Sequence, residues 1–248
     1  MNRVSLISAL STILIVLLAI GCDNATEPTK VGSISMTSHH STDISGMGKT
    51  AISQEGSTVD SIRLSRARFL LRDIKFKTQG DADSCNFRTS PFVLELNLSG
   101  VVQEIGVQSA PFGSYRRIEF DVHRLDTAEY NALPSSERLQ FLEFMAGDRF
   151  SIIIDGTMYR KGEVPRNFTF RSRVNAKQKI DLDPSLVVDS GSPVANATLS
   201  INSVSWFRSA SGTLLDPTDP KVENTISNNL RSVIRVHRDN NKDGKRDG

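Results

Sequence analysis

Tyr115-Arg116-Arg117-Ile118-Glu119-Phe120-Asp121-Val122 sets Ile118, Phe120 and Val122 in alternation with Arg117, Glu119 and Asp121. A period of two puts the apolar set on one face of an extended chain and the charged set on the other, so the segment reads as a half-buried strand. The rhythm recurs in Phe92-Val93-Leu94-Glu95-Leu96-Asn97-Leu98, with Phe92, Leu94, Leu96 and Leu98 on one face. Ile62 and Leu64 alternate with Arg63 and Ser65; after an irregularity near Arg66, the residues Leu70, Arg72, Ile74 and Phe76 continue one parity. Further strands are expected at 150–154, 168–174, 197–201 and 230–236, with turns at Ser99-Gly100, Pro111-Phe112-Gly113, Asp155-Gly156 and Lys161-Gly162. Short strands at this spacing predict an all-β, mainly antiparallel sandwich.

One helical interruption is expected between residues 126 and 145. Asp126 with Glu129 forms a capping-box pattern, Pro134 breaks the run, and Leu139, Leu142 and Met145 return at helical spacing.

Composition bounds the partners. Thirty Lys and Arg against 28 Asp and Glu leave a formal charge of +2, and the bases are scattered among the acids, which argues against a nucleic-acid partner. The local excess at Arg63, Arg66, Arg68 and Arg72 reads as the solvated face of a strand. Cys22 and Cys85 are the two cysteines. If the first is modified the second has no partner within the chain, and Cys85 is given no catalytic role.

The N-terminus follows export grammar, with a charge at Arg3, the apolar run Ile13-Leu14-Ile15-Val16-Leu17-Leu18-Ala19-Ile20, and the small Gly21 before Cys22. The run is shorter and more polar than the roughly 20 apolar residues that a spanning helix needs. Leu18-Ala19-Ile20-Gly21-Cys22 resembles the bacterial lipobox, although Leu stands one place further from the cysteine than in the usual pattern. That resemblance implies cleavage before Cys22, acylation of it, and a body in the cell envelope facing away from the cytoplasm. The alternative is an uncleaved membrane helix. The chain then divides into a signal peptide at 1–21, a tether at 22–57, a body at 58–238 and a polar tail at 239–248. Val31-Gly32-Ser33-Ile34-Ser35-Met36, within the tether, is able to form a first strand.

Residues 92–96, then 101–107, then Pro111-Phe112-Gly113-Ser114-Tyr115-Arg116-Arg117-Ile118 resemble uncharacterised bacterial lipoprotein families with an immunoglobulin- or transthyretin-like β-sandwich body. The resemblance implies an architecture and brings no activity.

Asp239-Asn240-Asn241-Lys242-Asp243-Gly244-Lys245-Arg246-Asp247-Gly248 resembles the calcium loops of EF-hand, dockerin and thrombospondin type 3 repeats. Asp239, Asn241, Asp243 and Asp247 would give side-chain oxygens and Lys245 its carbonyl, with Gly244 at the tight turn. The twelfth position of such a loop, a bidentate acid, has no counterpart, so weak calcium binding is the expectation and a solvated tail the alternative. His39-His40 reads as part of a polar loop. No nucleophile elbow, zinc helix, phosphate-binding loop or cysteine pair is present. The expected function is therefore a lipid-anchored, non-catalytic binding or structural module with a protein or glycan ligand. Two alternatives are an envelope-facing hydrolase using His123 or His237 with a carboxylate, and a carbohydrate binder using an exposed Trp206.

Overall fold

The structure, a computed structural model, describes residues 30–42, 59–78 and 83–247. Cys22 and the leader lie outside the described residues. The elements are β1 (Val31–Ser41), β2 (Ser61–Thr78), β3 (Asp83–Arg88), β4 (Phe92–Glu95), β5 (Gln103–Pro111), β6 (Gly113–Val122), α1 (Thr127–Ala132), α2 (Leu142–Met145), β7 (Ile152–Tyr159), β8 (Arg166–Ser172), β9 (Ala176–Val188), β10 (Val194–Asn202), α3 (Glu223–Ser232) and β11 (Ile234–Arg238). They form an all-β sandwich. One sheet has the order β11-β10-β1-β5; in the other, β8-β7-β2-β6-β9 are joined by β3 and β4, both paired to β2. All pairings are antiparallel except β1 with β10.

Between the sheets, Ile34 and Met36 of β1 and Ala197, Leu199 and Ile201 of β10 meet Phe69, Leu71, Ile118, Phe120 and Ile154. The parity read from 115–122 therefore holds, with Ile118, Phe120 and Val122 buried. Glu119, on the opposite parity, is not a solvated residue: it is 8% exposed, under Lys177 at 3.2 Å and Lys179 at 3.7 Å. Tyr115 donates its hydroxyl to Pro111 O at 2.7 Å, and burial pushes its pKa up to about 12.

β2 is the spine, pairing β7 through its first half and β6 through its second. The expected irregularity near Arg66 is a register shift between Leu64 and Arg66. A second shift, between Arg72 and Lys75, surrounds Asp73 at φ +54° and inverts the parity. Leu70 and Arg72 consequently do not share a face with Ile74 and Phe76; Leu70 leaves the main core for a second one.

That second core lies on the outer face of the larger sheet, where residues 126–145 cover it. Leu70, Leu125, Leu133, Phe141, Phe144 and Ile153 are buried together there. The capping box is formed: Glu129 N donates to Asp126 Oδ1 at 2.8 Å and Asp126 N to Glu129 Oε2 at 2.9 Å. The buried side of the insertion carries Phe141 and Phe144, whereas Leu139 is 76% and Leu142 51% exposed, so the helical face read from the leucines is the wrong one. Pro134 interrupts the segment and the chain resumes in a 3-10 turn, Arg138–Phe141, which shifts the phase. The insertion also buries Arg68 and partly covers Arg66 and Arg72, while Arg63 stays exposed. Arg66 binds Glu143 and Asp155, Arg68 binds Glu143, and Arg72 binds Glu129.

Three local readings change. Asp155-Gly156 is no turn but lies inside β7, where the ring of Phe168 packs so closely that a Cβ on Gly156 would sit 2.8 Å from it. Leu230 lies in the last turn of α3, and the strand starts only at Ile234. The tether's expected first strand is β1, bonded on both edges and as integral to the sandwich as any strand after residue 58.

Candidate functional site

Alternation along β1, β10 and β11 turns Ser35, Thr37, His39, Asn196, Thr198 and His237 to the outer face of the smaller sheet. These polar residues are covered by the C-terminal segment. Thr198 donates to Asp239 Oδ2 at 2.6 Å, Thr37 lies 2.6 Å from Thr198, and the Asn196 amide donates to Asp239 O at 2.8 Å. Asp239 is fully buried, and its carboxylate also accepts from Asp243 N at 3.0 Å and Gly244 N at 2.9 Å. Gly244 has φ +83° and rests on the ring of His39, whose Cγ a Cβ would approach to 2.7 Å, so glycine is required there on both counts. At the rim Lys242 reaches Glu104 at 3.8 Å and Arg246 reaches Asp183 at 3.1 Å.

The five residues read as calcium ligands thus form a lid. Asn241 Oδ1 accepts from Asp243 N at 3.2 Å, Asp243 Oδ1 from Lys245 N at 2.8 Å, and Asp247 Oδ2 from Asn240 N at 2.8 Å. Among the described residues no three acidic, histidine or cysteine side chains are gathered as a metal would need. Asp239 Oδ1 accepts from Asp243 N and its Oδ2 from Thr198 and Gly244 N, so a cation taken up here would share these oxygens with protein donors. What the arrangement does is close the sheet.

The other polar concentration is a cleft of about 450 Å³ lined by His123, Arg124, Leu125, Asp126, Gly147, Asp148, Arg149 and Asn175. Three connections meet there: β6 to α1, α2 to β7, and β8 to β9. His123 Nε2 lies 2.8 Å from Glu129 Oε2, and Glu129 also holds Arg72. Burial alone would raise the Glu129 carboxyl; the Asp126 N–H, the His123 hydrogen bond and the charges of His123 and Arg72 outweigh it and hold the carboxyl below its usual range. Glu129 can orient His123, whose other ring nitrogen is then the one available for proton transfer. No serine, threonine or cysteine is among the described residues lining the cleft.

The remaining candidates are structural. Trp206 is 0% exposed and packs edge-on to Phe69 at 5.9 Å, so it offers no face to a sugar, and the carbohydrate reading that depended on its exposure falls. His39 and His40 stand on β1, not in a loop; His40 points inward, 2.9 Å from Ser203 Oγ, and burial lowers its pKa. Burial also lowers the pKa of His237, against the pull of Asp239 and the Gly244 carbonyl and with the help of His39 and Arg246. Cys85 is buried, its thiol donating to Ser109 O at 3.7 Å, and burial pushes its pKa up.

No protein-family model matches this sequence, and no curated protein does. Among solved structures it is similar to MbnP from Methylosinus trichosporium, with 11% identity over 84% of this chain and 99% of that one, at a TM-score of 0.45.

Proposed function

We propose that this protein is a lipid-anchored module of the cell envelope, non-catalytic, which binds a ligand in the cleft beside His123. The observation that supports it is the placement of the cleft relative to the tether. Lys30 O accepts from Phe112 N, so the chain enters the sandwich at the turn between β5 and β6. The cleft begins at His123, just past the opposite end of β6. Nine residue steps at about 3.4 Å separate the two poles by about 30 Å. Residues 23–30, between Cys22 and Val31, reach about 30 Å at full extension. An anchor at Cys22 would join the body at the Lys30 pole, with the cleft at the far end of the sandwich. Two or more acyl chains make such attachment stable, at roughly 0.8 kcal/mol per buried methylene. The test is metabolic labelling with a fatty acid: Cys22→Ser is expected to lose the label, and undiminished label in the variant would refute the anchor.

The His123–Glu129 contact favours a second reading, a hydrolase in which His123 activates water. Turnover of p-nitrophenyl acetate or p-nitrophenyl phosphate that His123→Gln abolishes would establish it. Equal rates in both proteins would leave the binding module.

A further inference from the structure

We infer that the cleft binds a small anion through a carboxylate or phosphate group, held by the guanidiniums of Arg124 and Arg149; this deepens the binding reading and rests on it. The charges around the cleft are unevenly spent. Asp148 is paired with Arg173 at 3.0 Å, Asp126 Oδ1 accepts from Glu129 N, and Glu129 is shared between His123 and Arg72. Each acid in or next to the cleft thus already holds a donor. Arg124 and Arg149 both line the cleft, and among the described residues neither guanidinium has a carboxylate partner.

Arg124 carries the stronger sign. Its Nε is enclosed without a hydrogen-bond partner, as are those of Arg68 and Arg72, but there the terminal nitrogens hold Glu143 and Glu129, whereas those of Arg124 hold no carboxylate among the described residues and are left to meet an incoming oxygen. Its backbone is fixed, because Arg124 N donates to Asn175 Oδ1 at 2.8 Å; the same contact leaves the Asn175 amide nitrogen as a further donor on the cleft wall. Arg149 comes from a different connection, α2 to β7, in a turn where Gly147 has φ +55° and Arg149 itself φ +62°, closed by Arg149 N to Ala146 O at 3.2 Å. Arginine seldom takes that conformation, and here it is what sets the side chain beside the cleft. Two planar donor forks and an amide match the paired oxygens of a carboxylate or phosphate.

The test follows the arginine Nε–Hε resonances of the full-length protein at constant ionic strength, titrated separately with glucuronate, inorganic phosphate and, as the uncharged control, glucose. The expected result is a saturable shift of Arg124 with one or both anions and none with glucose. Arg124→Gln or Arg149→Gln should weaken binding about tenfold, the loss of one charge-assisted contact. Arg124→Lys, which keeps the charge without the fork, should fall between. Anions that shift no cleft resonance, or whose affinity is unchanged in both glutamine variants, overturn the inference. Saturation by glucose as strongly as by glucuronate overturns it too, while leaving the cleft a binding site; silence from all three probes removes the binding reading with it.

Discussion

On the outer face of the larger sheet, Leu70 and Ile153 lie under Phe141 and Phe144, and the surrounding arginines are tied by Glu129, Glu143 and Asp155. On the outer face of the smaller sheet the covered residues are Thr37, Asn196 and Thr198, and the cover is a glycine turn held through one buried aspartate. Both faces are closed by chain that is not strand. The first cover rests on apolar burial with ion pairs around it, the second on directional hydrogen bonds from backbone to carboxylate. Trimming an apolar residue costs in proportion to the volume it leaves empty, whereas removing the one carboxylate leaves three donors unserved at once.

Four experiments press on that contrast. The largest loss is expected from Phe144→Ala, which empties a fully buried site in the second core and should cost about 3–5 kcal/mol in denaturant unfolding. A loss below about 1 kcal/mol would mean that the insertion is a loose flap. Asp239→Ala strips the acceptor from Thr198, Asp243 N and Gly244 N and should cost about 2–3 kcal/mol, with Asp239→Asn closer to 1. If alanine and asparagine were equally harmless, the lid would be held by its rim instead.

Acid should open the two covers in sequence. His237 has a depressed folded pKa, so the unfolded chain gains the proton first, and the stability this group contributes is lost as pH falls below about 6.5 towards the folded value. Glu129 is depressed as well, but from the carboxylate range: its contribution is intact above about 4.3 and disappears below it. Amide exchange between pH 6 and 5 should therefore rise in residues 240–247 while 127–145 stay protected; simultaneous loss would deny the covers their independence. The smallest effect is expected from calcium. A site with a Kd near 1 mM adds about 1.4 kcal/mol at about 10 mM ion, and the engagement of Asp239 should keep the gain below that. A larger melting shift, abolished in Asp243→Ala, would show that the loop rearranges around the ion.

The sandwich was legible where hydrophobic alternation is strong, as in β4 and β6. It was illegible in β9, Ala-Lys-Gln-Lys-Ile-Asp-Leu-Asp-Pro-Ser-Leu-Val-Val, where polar residues dominate because much of the strand is exposed. α3 was missed for a related reason: Glu-Asn-Thr-Ile-Ser-Asn-Asn-Leu-Arg-Ser is poor in strong helix formers, and only Ile226 and Leu230 are buried. Within the cleft, His123 drew notice as a histidine and Glu129 as a cap residue, but nothing local says that they touch. Arg124 and Arg149 gave no sign, since an arginine is identified as unpaired only after its neighbours in space are known. The C-terminal motif was visible, yet its first aspartate turns inward to Thr198, a partner 41 residues away that a loop pattern does not contain.

The parallel pairing of β1 with β10 sets a timetable for the molecule. Thr37 meets Thr198 across 161 residues, and β11 and the lid follow later still. A chain delivered N-terminus first can close one edge of β1 on β5 early, but the other edge stays open until β10 has emerged. Long-range closure of this kind is slow. During that wait Ile34 and Met36 lack Ala197, Leu199 and Ile201 of β10 beside them, so the smaller sheet is the last part of the sandwich to close.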